Sequence, residues 1–145
     1  MTLRKATGED IESILMIDHE VLQTNWSEVL YLEAMILKDN YFYVLDLEGV
    51  CIGFMLFRSL GDDAEVLQIA VQKDYQNFGF GKVMLEKMIQ KVHSKGLKYL
   101  YLEVSEHNTP AYEFYRKYGF ERIHVRKNYY GISDDALVMR KDLEQ

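Results

Sequence analysis

The chain predicts an α/β (α+β) fold built on a mixed sheet, and three stretches carry that prediction. Leu67 to Gly96 runs from an extended apolar segment through Gly79-Phe80-Gly81 into an amphipathic helix. Two β-rich runs, Tyr41 to Leu47 and Val50 to Arg58, meet at Glu48-Gly49, a hairpin signal. Lys98 to Val104 alternates like a strand and leads into a helix and two further β-rich runs. Hairpins interrupt the strand–helix alternation, so the sheet is expected to be mixed rather than purely parallel.

Taken in order, Leu3 to Lys5 reads as a short first strand. Thr7 and Asp10 form a capping-box-like start, after which Ile11, Ile14, Leu15, Val21 and Leu22 give one apolar helix face. Asn25-Trp26-Ser27 breaks that helix. Ser27 caps a second helix running to about Leu37, with Trp26 and Tyr31 at the two ends of a hydrophobic staple. After the hairpin, Gly61-Asp62-Asp63 turns the chain into a strand from Ala64 to Val71. In the central helix Met84, Leu85, Met88, Ile89 and Val92 share one face, and Gly96 marks its end. Leu100, Leu102 and Val104 then share one strand face, with Tyr99, Tyr101 and Glu103 on the other. A helix from Asn108 or Thr109 to Tyr118 carries Pro110 in its first turn and stops at Gly119. Phe120 to Lys127 and Ala136 to Arg140 complete the sheet, with an irregular segment between them that holds Tyr129, Tyr130 and Asp134-Asp135.

At 145 residues the chain, 1–145, is expected to form a single domain with one core. A net charge of −6 argues against nucleic-acid binding and admits a cationic partner. One cysteine, Cys51, excludes an internal disulfide and suits a reducing compartment. No stretch reaches the length of a membrane span and Met1 to Glu12 lacks an apolar leader core, so the cytoplasm is the expected location. His19, His93, His107 and His124 show no metal-ligand spacing, and no metal is expected.

A glycine turn that exposes consecutive amides at the positive end of a helix is an anion site, because glycine lets a phosphate approach the backbone closely. The letters around Gly81 exclude two nucleotide motifs. A P-loop requires an earlier Gly, where Tyr75 or Gln76 stands, and Ser or Thr after Lys82, where Val83 stands. A dinucleotide fingerprint requires a third Gly, where Met84 stands.

Gln76-Asn77-Phe78-Gly79-Phe80-Gly81 resembles the Q/R-x-x-G-x-G/A signature of the GCN5-related N-acetyltransferases, the GNAT family. Ile69-Ala70-Val71, Asp74 to Gln76, Leu102-Glu103-Val104, Asn108, Phe114 to Phe120 and Arg126 to Tyr130 resemble the RimI-type branch, which acetylates the N-terminal alanine of bacterial ribosomal proteins. The resemblance implies a mixed, mostly antiparallel sheet of six or seven strands flanked by about four helices, with acetyl-coenzyme A as co-substrate. It further implies a protein N-terminus as acceptor, that of a basic small-subunit ribosomal protein starting with alanine. A small amine or a lysine side chain is the alternative acceptor. Neither nucleic acid nor membrane is an expected partner, and the chain is expected to act as a monomer or weak dimer.

Acetyl transfer to an amine needs a base, a held oxyanion and a proton for the leaving thiolate. Glu103, at a strand end beside tyrosines, is the candidate base, its proton affinity raised by partial burial; an exposed strand-end charge is the other reading. The resemblance makes this glutamate the base and Tyr115 the proton donor; Tyr112, Tyr115 and Tyr118 also recur at the spacing of a helix that covers a sheet. The backbones of Ile69, Ala70 and Val71 are expected to pair with pantetheine amides, and one N–H to hold the thioester oxygen. Gln76, Asn77, Phe78, Gly79, Phe80 and Gly81 are expected to hold the diphosphate, with Lys82 as an added charge or merely a solvated helix residue. Asn108 caps a helix and, by the resemblance, also contacts the coenzyme. Trp26, by the resemblance, lines the acceptor groove, and Tyr129 and Tyr130 clamp the acceptor or pack a loop. The chain departs from the family pattern where Asn77 and Phe78 stand in place of arginines and Thr24-Asn25 in place of Phe-Pro. No activated Ser or Cys is identifiable, so direct attack of the amine is expected rather than an acyl-enzyme.

Overall fold

The computed structural model describes residues 1–144 and contains β1 (Thr2–Lys5), α1 (Ile11–Ile17), α2 (Glu28–Ile36), β2 (Asn40–Leu47), β3 (Val50–Leu60), β4 (Asp63–Val71), α3 (Phe80–Ser94), β5 (Tyr99–Ser105), α4 (Thr109–Lys117), β6 (Glu121–Gly131) and β7 (Asp134–Asp142). The seven strands hydrogen-bond in the order β1-β2-β3-β4-β5-β7-β6. β4 and β5 are parallel, while β1 with β2, β2 with β3, β5 with β7 and β6 with β7 are antiparallel, which is the mixed sheet expected. Contacts divide the chain into two units, Met1–Arg58 with Leu67–Gln90 and Ser59–Val66 with Lys91–Gln145, so β4 contributes to both. No helix among the described residues is long and apolar enough to cross a membrane.

In the first unit, Ile11, Ile14 and Ile17 of α1 and Tyr31 and Ala34 of α2 pack on Phe42, Val44, Phe54, Leu56 and Ala70. The pleat sends the intervening β3 residues to the opposite face, where Met84 of α3 approaches Gly53. The hairpin turns at Glu48 and Gly49, both at positive φ (52° and 87°), as a two-residue primed turn requires. Thr7 and Asp10 form the expected box, with the Thr7 amide donating to Asp10 Oδ2 at 2.8 Å. Asp10 is also gripped by both Arg4 terminal nitrogens, at 2.8 and 2.9 Å.

The first helix breaks earlier than its apolar pattern predicts. Its last turn, Asp18–Leu22, widens to a π turn and Gln23 adopts a left-handed conformation (φ 53°). The cause is Asp18, which is buried and accepts from the Thr24 amide (2.9 Å), the Thr24 hydroxyl (2.6 Å) and the Tyr31 hydroxyl (2.5 Å). Each buried donor left unpaired costs about 1–3 kcal/mol. Asp18→Ala is therefore expected to destabilise the protein by about 3 kcal/mol, a fall of roughly 6–12 °C in Tm for a chain of this size. Thermal denaturation checks it, and a fall below about 2 °C would contradict this account of the loop.

The second unit buries Leu100, Leu102 and Val104 of β5, as the alternation predicts, together with Tyr115, Phe120, Ala136 and Met139. Here one expectation is corrected. Tyr129 and Tyr130 do not lie in an irregular connection: β6 runs on through them to Gly131, and β7 starts at Asp134. Strand pairing resumes at Gly131 with Asp134 after a break in register beyond Arg126, so residues 127–130 bulge from the ladder.

Candidate active site

In the first unit, β4 delivers the chain to a tight turn. The Gln72 amide donates to the Ile52 carbonyl (2.7 Å), the Lys73 amide to Glu20 Oε1 (2.7 Å), and Gln76 Nε2 back to the Val71 carbonyl (3.0 Å). Asn77 (φ 68°) and Gly79 (φ 87°) are left-handed, a conformation that asparagine tolerates and glycine adopts freely. The helix begins at Phe80, one residue before Gly81, and its first bond runs from the Val83 amide to the Gly79 carbonyl (3.1 Å). The amides of Phe80, Gly81 and Lys82 thus have no acceptor within the helix and sit at its positive end. The Phe78 and Lys82 side chains are exposed, so Lys82 is the one cation on the Gln76–Lys82 turn. Ala70 is buried and Ile69 and Val71 are half-buried. β3 approaches this strand so closely that a Cβ on Gly53 would lie 2.8 Å from the Ala70 carbonyl oxygen.

Trp26 realises the expected staple: its ring centroid is 5.0 Å from that of Tyr31, and Ser27 Oγ accepts from the Leu30 amide at 3.2 Å. With the Gln68 amide turned so that its oxygen faces the indole, Trp26 Nε1 donates to it at 3.2 Å. Trp26 also lines a cleft of about 460 Å³ with Leu15, Asp18, His19, Gln23 and Thr24.

The second unit gathers Glu103, Tyr115, Tyr129 and Tyr130. Glu103 is half-buried on the face of β5 that carries Tyr99 and Tyr101, and its Oε1 accepts from Arg126 Nη1 at 2.7 Å. The same guanidinium lies 4.2 Å above the Tyr129 ring, which meets Tyr130 edge-on at 5.1 Å. The Glu103 hydrogen bond holds the Arg126 proton more tightly than usual. Burial first, and then the Glu103 carboxylate, push the Tyr130 phenol up to about 12. Tyr115 is the one member of its helical trio that is buried. Its burial, with the Tyr130 phenol second, pushes it well above the ordinary phenol range. Asn108 caps α4, its Oδ1 accepting from the Ala111 amide at 3.2 Å.

A polar network fixes the hairpin. The Ser105 hydroxyl donates to Asp134, the Ser133 carbonyl accepts from His107 Nε2 (2.7 Å), and Asp135 Oδ1 accepts from the Asn128 amide (2.8 Å). Arg126 was visible in the sequence only as part of a motif, with no role. The pairing of Glu103 with Val138, and of Val138 with His124, brings it within reach, and that register lies beyond what periodicity reveals. Cys51 is half-buried, its thiol pushed up to about 11 chiefly by burial, so it is no activated nucleophile. Among the described residues no three His, Cys, Asp or Glu side chains gather as metal ligands.

Known proteins share this fold. The model of the acetyltransferase (GNAT) family matches residues 8–120. The chain is 30% identical over 142 residues to the [ribosomal protein bS18]-alanine N-acetyltransferase of Escherichia coli, covering 95% of each chain. It is 29% identical over 154 residues to an N-alpha-acetyltransferase of Sulfolobus acidocaldarius, covering 97% of this chain and 92% of that one. The crystal structure of the ribosomal-protein-S18-alanine N-acetyltransferase from Escherichia coli superposes with a TM-score of 0.89 at 27% identity, over 98% of this chain and 93% of that one.

Proposed function

Since the chain belongs to the acetyltransferase (GNAT) family, we propose that it transfers the acetyl group of acetyl-coenzyme A to the N-terminal α-amine of a protein, by direct attack. The observation that carries the proposal is the turn at the head of α3, whose three amides without helical acceptors answer the coenzyme's diphosphate. The protein acceptor is supported by the relatives' activities on protein N-termini. The net charge of −6 suits a basic ribosomal protein starting with alanine.

Each residue then has a task. The turn from Gln76 to Lys82 takes the diphosphate, and the backbone of Ile69 to Val71 takes the pantetheine amides, with one N–H for the thioester oxygen as charge grows on it. Glu103 draws one proton from the attacking nitrogen, directly or through water. The new C–N bond forms at the carbonyl carbon, the C–S bond breaks, and the departing sulfur receives a proton from Tyr115, leaving an amide and free coenzyme thiol. Glu103 then yields its proton to solvent and Tyr115 is reprotonated. Trp26, Tyr129 and Tyr130 contact the acceptor.

Two expected results follow. Incubation with acetyl-coenzyme A and peptides bearing a ribosomal alanine N-terminus should add one acetyl at the α-amine by mass spectrometry, and none to peptides blocked there. Modification confined to lysine side chains would favour the alternative acceptor class. Gly53→Ala should push the Ala70 carbonyl off its position, costing about 1–3 kcal/mol of stability as overpacking does. The same variant should weaken acetyl-coenzyme A binding by about tenfold on calorimetric titration. Unchanged affinity would detach β4 from coenzyme binding.

A further inference from the structure

Glu103 is not a lone carboxylate. Its Oε1 is already held by Arg126, which reaches from β6 across β7, where the intervening positions are Ala136 and Val138. The guanidinium cannot drift freely, because it stacks on Tyr129 in a hairpin pinned on several sides. Asp135 accepts from Asn128, Asn128 Oδ1 accepts from the Ser133 amide (2.9 Å), and the Asp135 amide donates to Glu106 (3.3 Å). A fixed positive charge therefore stands beside the oxygen pair to which the acceptor nitrogen must come. For a reaction that consumes only the uncharged amine, that placement has a consequence. An ammonium entering beside Glu103 finds the carboxylate's attraction offset by the guanidinium's repulsion, and one of the two carboxylate oxygens already occupied. A neutral amine escapes that repulsion, and Oε2 remains to accept its proton.

We propose that Arg126 is a positioning residue that makes the Glu103 site selective for the uncharged form of the acceptor amine, by occupying Oε1 and repelling the ammonium. This rests on the reading of Glu103 as the group that takes the amine's proton. Removing the guanidinium while keeping a polar side chain turns the site into a bare carboxylate. That carboxylate attracts the ammonium and holds it in the unreactive form. Arg126→Gln should thus bind charged acceptors more tightly and turn them over more slowly, lowering KM and kcat together. Arg126→Lys keeps the charge and should keep the wild-type pattern.

The test is a titration of wild type, Arg126→Gln and Arg126→Lys, each saturated with coenzyme A so that nothing turns over. Two peptides of identical sequence are used, one with a free alanine α-amine and one with that nitrogen replaced by hydrogen. At about pH 6.5, below the ordinary α-amine range of about 7.7–8.0, the first is mainly charged. The ratio of its Kd to that of the nitrogen-free peptide should fall roughly five- to tenfold in Arg126→Gln, a modest effect because the guanidinium is exposed to solvent and salt. Arg126→Lys should stay within about twofold of wild type, the range in which an exposed charge swap changes little. An equal ratio in all three proteins would overturn the inference, as would loss of both peptides by Arg126→Gln, which would make Arg126 a strut of the hairpin. Failure of the wild type to bind either peptide would instead remove the protein-acceptor reading, and this inference with it.

Discussion

Glu103→Gln is expected to lower kcat by about 10²- to 10⁴-fold, the range that a positioned proton acceptor contributes. Glutamine keeps the shape of the side chain and can still accept from Arg126 Nη1, which now bonds Oε1 at 2.7 Å, so the hairpin should hold its place. What it cannot do is take a proton. Coenzyme affinity is expected to be unchanged, because the diphosphate is assigned to the turn before α3. Stability should change little, since a solvent-exposed ion pair contributes little to folding. Steady-state kinetics with an α-amine peptide, alongside a thermal melt, checks both halves. A kcat within about twofold of wild type, a difference of only about 0.4 kcal/mol in barrier, would strip Glu103 of its role.

Tyr115→Phe is expected to lower kcat by about 10²-fold at unchanged coenzyme affinity, as loss of one general acid does. The ring is buried against Phe114 and Phe120, with centroids at 5.3 and 5.6 Å, and phenylalanine fills the same space. Burial fixes the sign of the pH dependence. With its pKa raised above the ordinary phenol value of 10, Tyr115 keeps its proton throughout the working range. Wild-type activity should therefore climb as the acceptor amine loses its proton near about pH 7.7–8.0 and stay level to about pH 10. An alkaline fall below pH 9 that disappears in Tyr115→Phe would contradict this. The same burial makes the phenol a reluctant acid toward a thiol that ordinarily titrates near about 8.5. Burial tunes this pair toward retention of the phenol's proton. In this account the phenol donates as the sulfur's charge develops, not before.

Much of this was legible in the letters. Glycines at 49, 79 and 96 mark turns because positive φ is nearly reserved for them, and all three adopt it. The alternation from Leu100 to Val104 predicted a buried face because a pleat permits no other arrangement. Ser27 and Asn108 were readable as caps because their hydroxyl and amide oxygens serve helix amides three residues on. What stayed hidden depends on partners distant in sequence. Asp18 carries no signal in the sequence, because Tyr31 and Thr24 converge on it only in the fold. The extension of β6 through Tyr130 is held by a bulged register and by contacts from Ser105 and His107, which no local pattern contains. Arg126 was hidden for the same reason. An expectation based on burial alone gave Glu103 tyrosine neighbours and overlooked the cation two strands away.

The central proposal is that the turn before α3 binds the coenzyme's diphosphate through its amides. Calorimetric titration with acetyl-coenzyme A and with S-acetyl-pantetheine, which has the same thioester arm and no diphosphate, tests it most directly. The account predicts that the pantetheine compound binds at least about 100-fold more weakly, a loss of about 2.7 kcal/mol assigned to the diphosphate and the remainder of the nucleotide. Equal affinity for the two would contradict it.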